Sequence, residues 1–150
     1  MYTDCNCSDI NLTAVDGMTI PTGSLVQSNG GDITLDADSD SDSGVVGTFT
    51  LNGEINSGAG DIFLSAVDYA AGGAGTMANS TGNAVLNTSA GLGNPTIALG
   101  DDAITVTSGS ITLCGIGSCD IEIDDATMDA YVVGGTLTIG DATTGRIYLL

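Results

Sequence analysis

Short runs that alternate aliphatic and small polar residues recur along the chain, most of them opening on glycine. Gly31-Asp32-Ile33-Thr34-Leu35 returns as Gly47-Thr48-Phe49-Thr50-Leu51, Gly60-Asp61-Ile62-Phe63-Leu64, Gly109-Ser110-Ile111-Thr112-Leu113 and Gly135-Thr136-Leu137-Thr138-Ile139. Related runs are Thr96-Ile97-Ala98-Leu99, Ala103-Ile104-Thr105-Val106, Asp120-Ile121-Glu122-Ile123 and Arg146-Ile147-Tyr148-Leu149. In each, two apolar side chains one residue apart point to one face of a strand and the residue between them points to the other. Ile, Val and Thr dominate, as a pleated, half-buried surface favours, and Gly and Asp at the boundaries supply turns. No segment sustains a 3.6-residue stripe. Residues 66–82 form the one stretch with the makings of a helix, and their glycines predict a loop instead. The pattern predicts one all-β domain over residues 1–150.

Two architectures accommodate these strands. One is a right-handed parallel β-solenoid, with the alternating runs as rungs and Gly, Asn and Asp at its corners. The other is a β-sandwich or jelly roll, with strand exchange between subunits. Aromatic residues make up 4% of the chain and Trp is absent, whereas sandwich cores lean on large rings. Short strands and small, frequent turns also favour the solenoid. The uneven spacing of the glycine-led runs counts against a strict repeat.

Charge narrows the functional classes. The chain carries 19 acidic residues, one basic residue (Arg146), no Lys and no His, for a formal charge of −18. The usual general bases, Schiff-base amines and imidazole ligands are therefore missing. Binding to nucleic acid or anionic membrane needs cationic side chains to replace counterions, so neither is expected as a partner. No apolar run approaches the ~20 residues that span a bilayer, and membrane insertion is not expected. The first residues, Met1-Tyr2-Thr3-Asp4-Cys5, lack the basic and apolar regions of a signal peptide, so a mature or excised segment is expected. A hydrophobic fraction of 42% sets the chain apart from acidic disordered tails.

The phrases GDITL, GDIFL, GSITL and GTLTIGDATTG resemble the degenerate repeats of filamentous-haemagglutinin-like adhesins and autotransporter passengers, over residues 30–150. The resemblance implies a secreted, non-catalytic β-helical stalk or adhesive surface.

Candidate sites follow from local patterns. Asp36, Asp38, Asp40 and Asp42 stand at every second position of an acidic run, oxygen ligands suited to a hard cation, and calcium is the expected ion. The run resembles the D-x-D-x-D opening of an EF-hand loop, but Gly44 falls one position late and no Glu closes it; the competing reading is a solvated acidic loop. Asp101, Asp102, Asp124 and Asp125 are weaker candidates, as further cation ligands or as the carboxylate pair of a glycosidase. A surface of this charge repels acidic polysaccharide, and no catalytic activity is expected. Cys5, Cys7, Cys114 and Cys119 form two tight pairs whose spacings suit disulfides better than zinc, with the pairing open. Disulfides and the sequons at Asn6, Asn11, Asn79 and Asn87 point to a secreted or cell-surface location, with glycosylation expected there. The apolar run Ile147, Tyr148, Leu149 and Leu150 reads as an edge strand that a partner covers. The expected function is a non-catalytic extracellular structural protein, the subunit of a homopolymeric filament held by strand contacts. The alternative is an adhesin fragment binding a glycan or another cell-surface ligand.

Overall fold

A computed structural model describes residues 8–40, 47–71, 75–79, 82–88, 96–97, 103–106, 111–113, 120–123, 131–133, 136–139 and 147–149, and every structural statement concerns these residues. Seventeen strands occur among them. Six pair into a first sheet: β1 (Ile10–Thr13), β4 (Ile33–Asp36), β7 (Ile62–Ala66), β10 (Ala84–Thr88), β13 (Ile111–Leu113) and β16 (Leu137–Ile139). A second sheet holds β2 (Gly17–Ile20), β5 (Thr48–Leu51), β8 (Asp68–Ala71), β11 (Thr96–Ile97), β14 (Asp120–Ile123) and β17 (Ile147–Leu149). A third holds β3 (Leu25–Gln27), β6 (Glu54–Gly58), β9 (Thr76–Asn79), β12 (Ala103–Val106) and β15 (Tyr131–Val133). The chain visits the three sheets in fixed order, so each inner strand pairs with the strand three elements before it and the one three after. All of these pairings are parallel. Sandwiches and jelly rolls are built from antiparallel ladders, so that alternative is not the arrangement found.

Register explains which residues recur. In the first sheet, Ile10, Ile33, Ile62, Ala84, Ile111 and Leu137 share one column, and Leu12, Leu35, Leu64, Leu86, Leu113 and Ile139 share the next. Ile33, Leu35, Ile62, Leu64, Ala84, Leu86 and Leu113 are all buried, while Thr34, Phe63, Val85 and Thr112 between them are half-exposed. Aliphatic side chains thus stack on like side chains of the neighbouring parallel strands. Phe49 and Tyr69 bring the second sheet into the same core with ring centroids 6.0 Å apart and tilted by 57°, within the range of favourable aromatic pairs. Ile55 and Met77 contribute from the third.

Four of the five glycine-led runs belong to the first sheet, and Gly47-Thr48-Phe49-Thr50-Leu51 belongs to the second. Mixing the two sheets is one source of the uneven spacing. The other is real variation in the chain length between paired strands, since the partners at positions 33, 62, 84, 111 and 137 lie 29, 22, 27 and 26 residues apart. The loop expected over residues 66–82 is corrected by the structure: β8 and β9 lie within it. Their sequences, Asp68-Tyr69-Ala70-Ala71 and Thr76-Met77-Ala78-Asn79, are rich in small residues, and strand state there is set by parallel neighbours on both sides rather than by propensity.

Candidate functional site

Three features of the stack carry chemistry beyond core packing. The first is a ladder of side chains at the turn from the third sheet into the first. Asp32 N–H donates to Asp9 Oδ1 at 3.0 Å, and Asp61 N–H donates to Asp32 Oδ1 at 2.9 Å. Asn83 N–H donates to Asp61 Oδ1 at 2.6 Å, and its side-chain Nδ2 donates to the same oxygen at 3.1 Å. Each residue directly precedes a strand, so each carboxylate accepts a main-chain N–H from the next circuit. The ladder places acidic groups in a row at the strand spacing of about 4.8 Å. It was not among the sequence candidates, yet a signal exists: Ser8-Asp9-Ile10, Gly31-Asp32-Ile33, Gly60-Asp61-Ile62 and Gly82-Asn83-Ala84 align position by position.

Beside the ladder the turn is tightly packed. A Cβ on Gly31 would stand 2.5 Å from the carbonyl oxygen of Ser8, and Cβ atoms on Gly60 and Gly82 would collide with the carbonyls of Gly31 and Gly60. Buried Ser28 and Ser57 close the same turn by donating from Oγ to the carbonyls of Gly31 and Gly60, at 2.5 and 2.6 Å.

The second feature is the acidic corner between β4 and β5. Asp36 ends β4 half-buried, and its Oδ1 accepts the Asp38 N–H at 3.2 Å. Asp38 is 1% exposed, and neither of its carboxylate oxygens has a hydrogen-bond donor. Asp40 is exposed, and Asp42 lies outside the described residues. Strand alternation would have put all four carboxylates on one face; β4 ends at Asp36, however, and the turn after it sends Asp38 inward and Asp40 outward. No group of three His, Cys, Asp or Glu that could hold one metal ion occurs among the described residues.

The third feature is the set of outermost strands of the three sheets among the described residues. Within this chain β1, β2 and β3 edge their sheets on one side, and β16, β17 and β15 on the other. Leu12 continues the buried column of Leu35 and Leu64 but is 41% exposed, and Val15 and Leu25 are likewise exposed. All three large exposed hydrophobic residues among those described thus belong to the first circuit. Ile147, Tyr148 and Leu149 form β17, paired to β14 through Ile121, Glu122 and Ile123, while Leu150 lies outside the described residues.

The remaining candidates are placed in part. Asn11 is exposed on β1, Asn79 and Asn87 lie on β9 and β10, and Asn6 lies outside the described residues. Cys5, Cys7, Cys114 and Cys119 also lie outside them, as do Asp101, Asp102, Asp124 and Asp125. No described helix is long and apolar enough to cross a membrane. Comparison of the chain with protein-family models, with characterised proteins and with solved structures finds no match.

Proposed function

We propose that the chain winds as a right-handed, three-faced parallel β-solenoid and serves as a non-catalytic structural subunit of an extracellular filament. Strand order stepping by three in every sheet supports the winding. Right-handedness follows from the strong preference of parallel crossover connections. The observation that carries the filament reading is the exposed apolar first circuit. Leu12 and Val15 lie at an end of the stack where one more circuit would bury them. Solenoids that stay monomeric close such ends with polar capping repeats. A second copy presenting β16 and β17 would extend the same in-register columns, with Ile10 and Leu12 over Leu137 and Ile139. Aliphatic columns and parallel hydrogen bonding would then run from subunit to subunit.

A secreted or cell-surface location, disulfides among the four cysteines and glycosylation of exposed Asn11 belong to the same proposal. An adhesin fragment remains the second reading, because a β-solenoid of this kind also suits a stalk whose further circuits cover β1. Negative-stain electron microscopy of the purified protein tests the choice. Uniform filaments with a helical repeat set by the circuit spacing are expected; monodisperse particles over a wide range of salt and protein concentration would overturn the filament.

A further inference from the structure

Asp38 presents an electrostatic problem that no side chain among the described residues solves. Its carboxylate is buried, and neither oxygen receives a donor. Its Cβ stands 2.9 Å, and Val67 Cγ2 3.0 Å, from the point a Cβ on Gly47 would occupy, so the side chain enters the corner beside an aliphatic group. An uncompensated carboxylate in such surroundings is strongly disfavoured. The sequence holds no Lys or His, and its one cation, Arg146, directly precedes β17. Asp36 brings a second carboxylate to the same turn, since its Oδ1 accepts the Asp38 N–H.

We propose that this corner is a calcium site, with Asp38 as its buried ligand, Asp36 as the second carboxylate and main-chain oxygens completing the shell. Two carboxylates neutralise one divalent ion. Calcium accepts carboxylate and carbonyl oxygens in irregular number, whereas magnesium holds on to its waters and demands octahedral geometry that an aliphatic corner does not offer. The site clamps successive circuits: Ser39 N–H donates to Ala14 O in the first at 3.0 Å, and Val67 N–H in the third donates to Gly47 O at 2.9 Å. The proposal is independent of filament formation.

Equilibrium dialysis of the full chain against radioactive calcium, in physiological salt with excess magnesium, should find one saturable ion per chain. Saturating calcium should raise the melting temperature by about 5 °C or more. Asp38→Asn keeps the shape and removes the charge; it should lose both the tight ion and the calcium-dependent shift, while Asp40→Asn keeps both. Absence of a saturable ion in the wild-type protein overturns the proposal, even if Asp38→Asn fails to fold. An equal shift in Asp38→Asn reduces the effect to diffuse binding by an anionic surface, and an equal shift with sodium alone removes calcium as the ligand; either result overturns the proposal. Dialysis is read on dispersed subunits, so a protein that never polymerises can still bind the ion.

Discussion

At the scale of single residues the turn from the third sheet into the first sets two opposite tolerances. Gly60 has no Cβ because the Gly31 carbonyl occupies that space, and main-chain atoms cannot move aside as a flexible side chain would. Gly60→Ala should therefore destabilise the fold by about 3 kcal/mol or more, read by denaturant unfolding, through the same kind of overpacking that penalises enlarged cores. Asp32, one residue past the matching Gly31, is forgiving in one direction only. Its Oδ1 accepts the Asp61 N–H, and the carbonyl oxygen of an Asn amide is chemically able to accept the same bond. Asp32→Asn should leave stability unchanged or raise it at low salt, because it lowers repulsion along a row of like charges. Asp32→Ala should cost about 1 kcal/mol through the lost hydrogen bond. If both variants unfold alike, the ladder contributes nothing and only the backbone pairing matters.

At the scale of strands, burial is set by position in the stack as much as by residue type. Leu64 and Leu12 share a register column, yet Leu64 is 2% exposed and Leu12 41%. Leu64→Ala should cost about 2–5 kcal/mol, as truncation inside a well-packed column does, and Leu12→Ala less than about 1 kcal/mol in the dispersed subunit. Comparable losses in the two variants would show that the first circuit is already covered in solution. The alternation that predicts these columns was readable because one buried face per strand imposes a period of two on the side chains. The runs that open on Gly31, Gly60, Gly109 and Gly135 accordingly supply β4, β7, β13 and β16 of a single sheet. What the sequence left hidden has physical causes. Gly82-Asn83-Ala84-Val85-Leu86 fills the same slot as Gly31–Leu35, but Asn and Ala replace Asp and Ile and blur the phrase. Asp68–Ala71 and Thr76–Asn79 are rich in small residues and lie on either side of a glycine-rich stretch of sequence, so local preference says loop while the neighbouring strands on each side dictate extension. In the Asp36–Asp42 run alternation holds only while the strand lasts, and β4 ends at Asp36, so Asp38 is buried while Asp40 is exposed.

At the scale of the whole molecule, net charge and the open end of the stack pull in opposite directions. Subunits carrying −18 each repel when stacked, and salt screens that repulsion over a Debye length of about 8 Å at physiological ionic strength. In the proposed filament, burial of the Leu12 and Val15 end would draw them together and would depend little on salt. Filaments should therefore be favoured as ionic strength rises, opposite to an assembly held by ion pairs, and light scattering across a salt series measures this directly. Leu12→Asp separates assembly from folding. On the outermost strand an Asp at this position remains hydrated in the dispersed subunit, so its far-ultraviolet circular dichroism and melting temperature should stay near those of the wild type. In a filament the same carboxylate would be buried against Ile139 of the next copy without a partner, a cost of several kcal/mol per contact, and filaments should vanish. Leu35→Asp puts the same charge one circuit inward, where Leu35 is fully buried, and should unfold the subunit itself. Filaments that persist in Leu12→Asp would place the subunit contact elsewhere on the molecule and leave the exposed first circuit to a different partner.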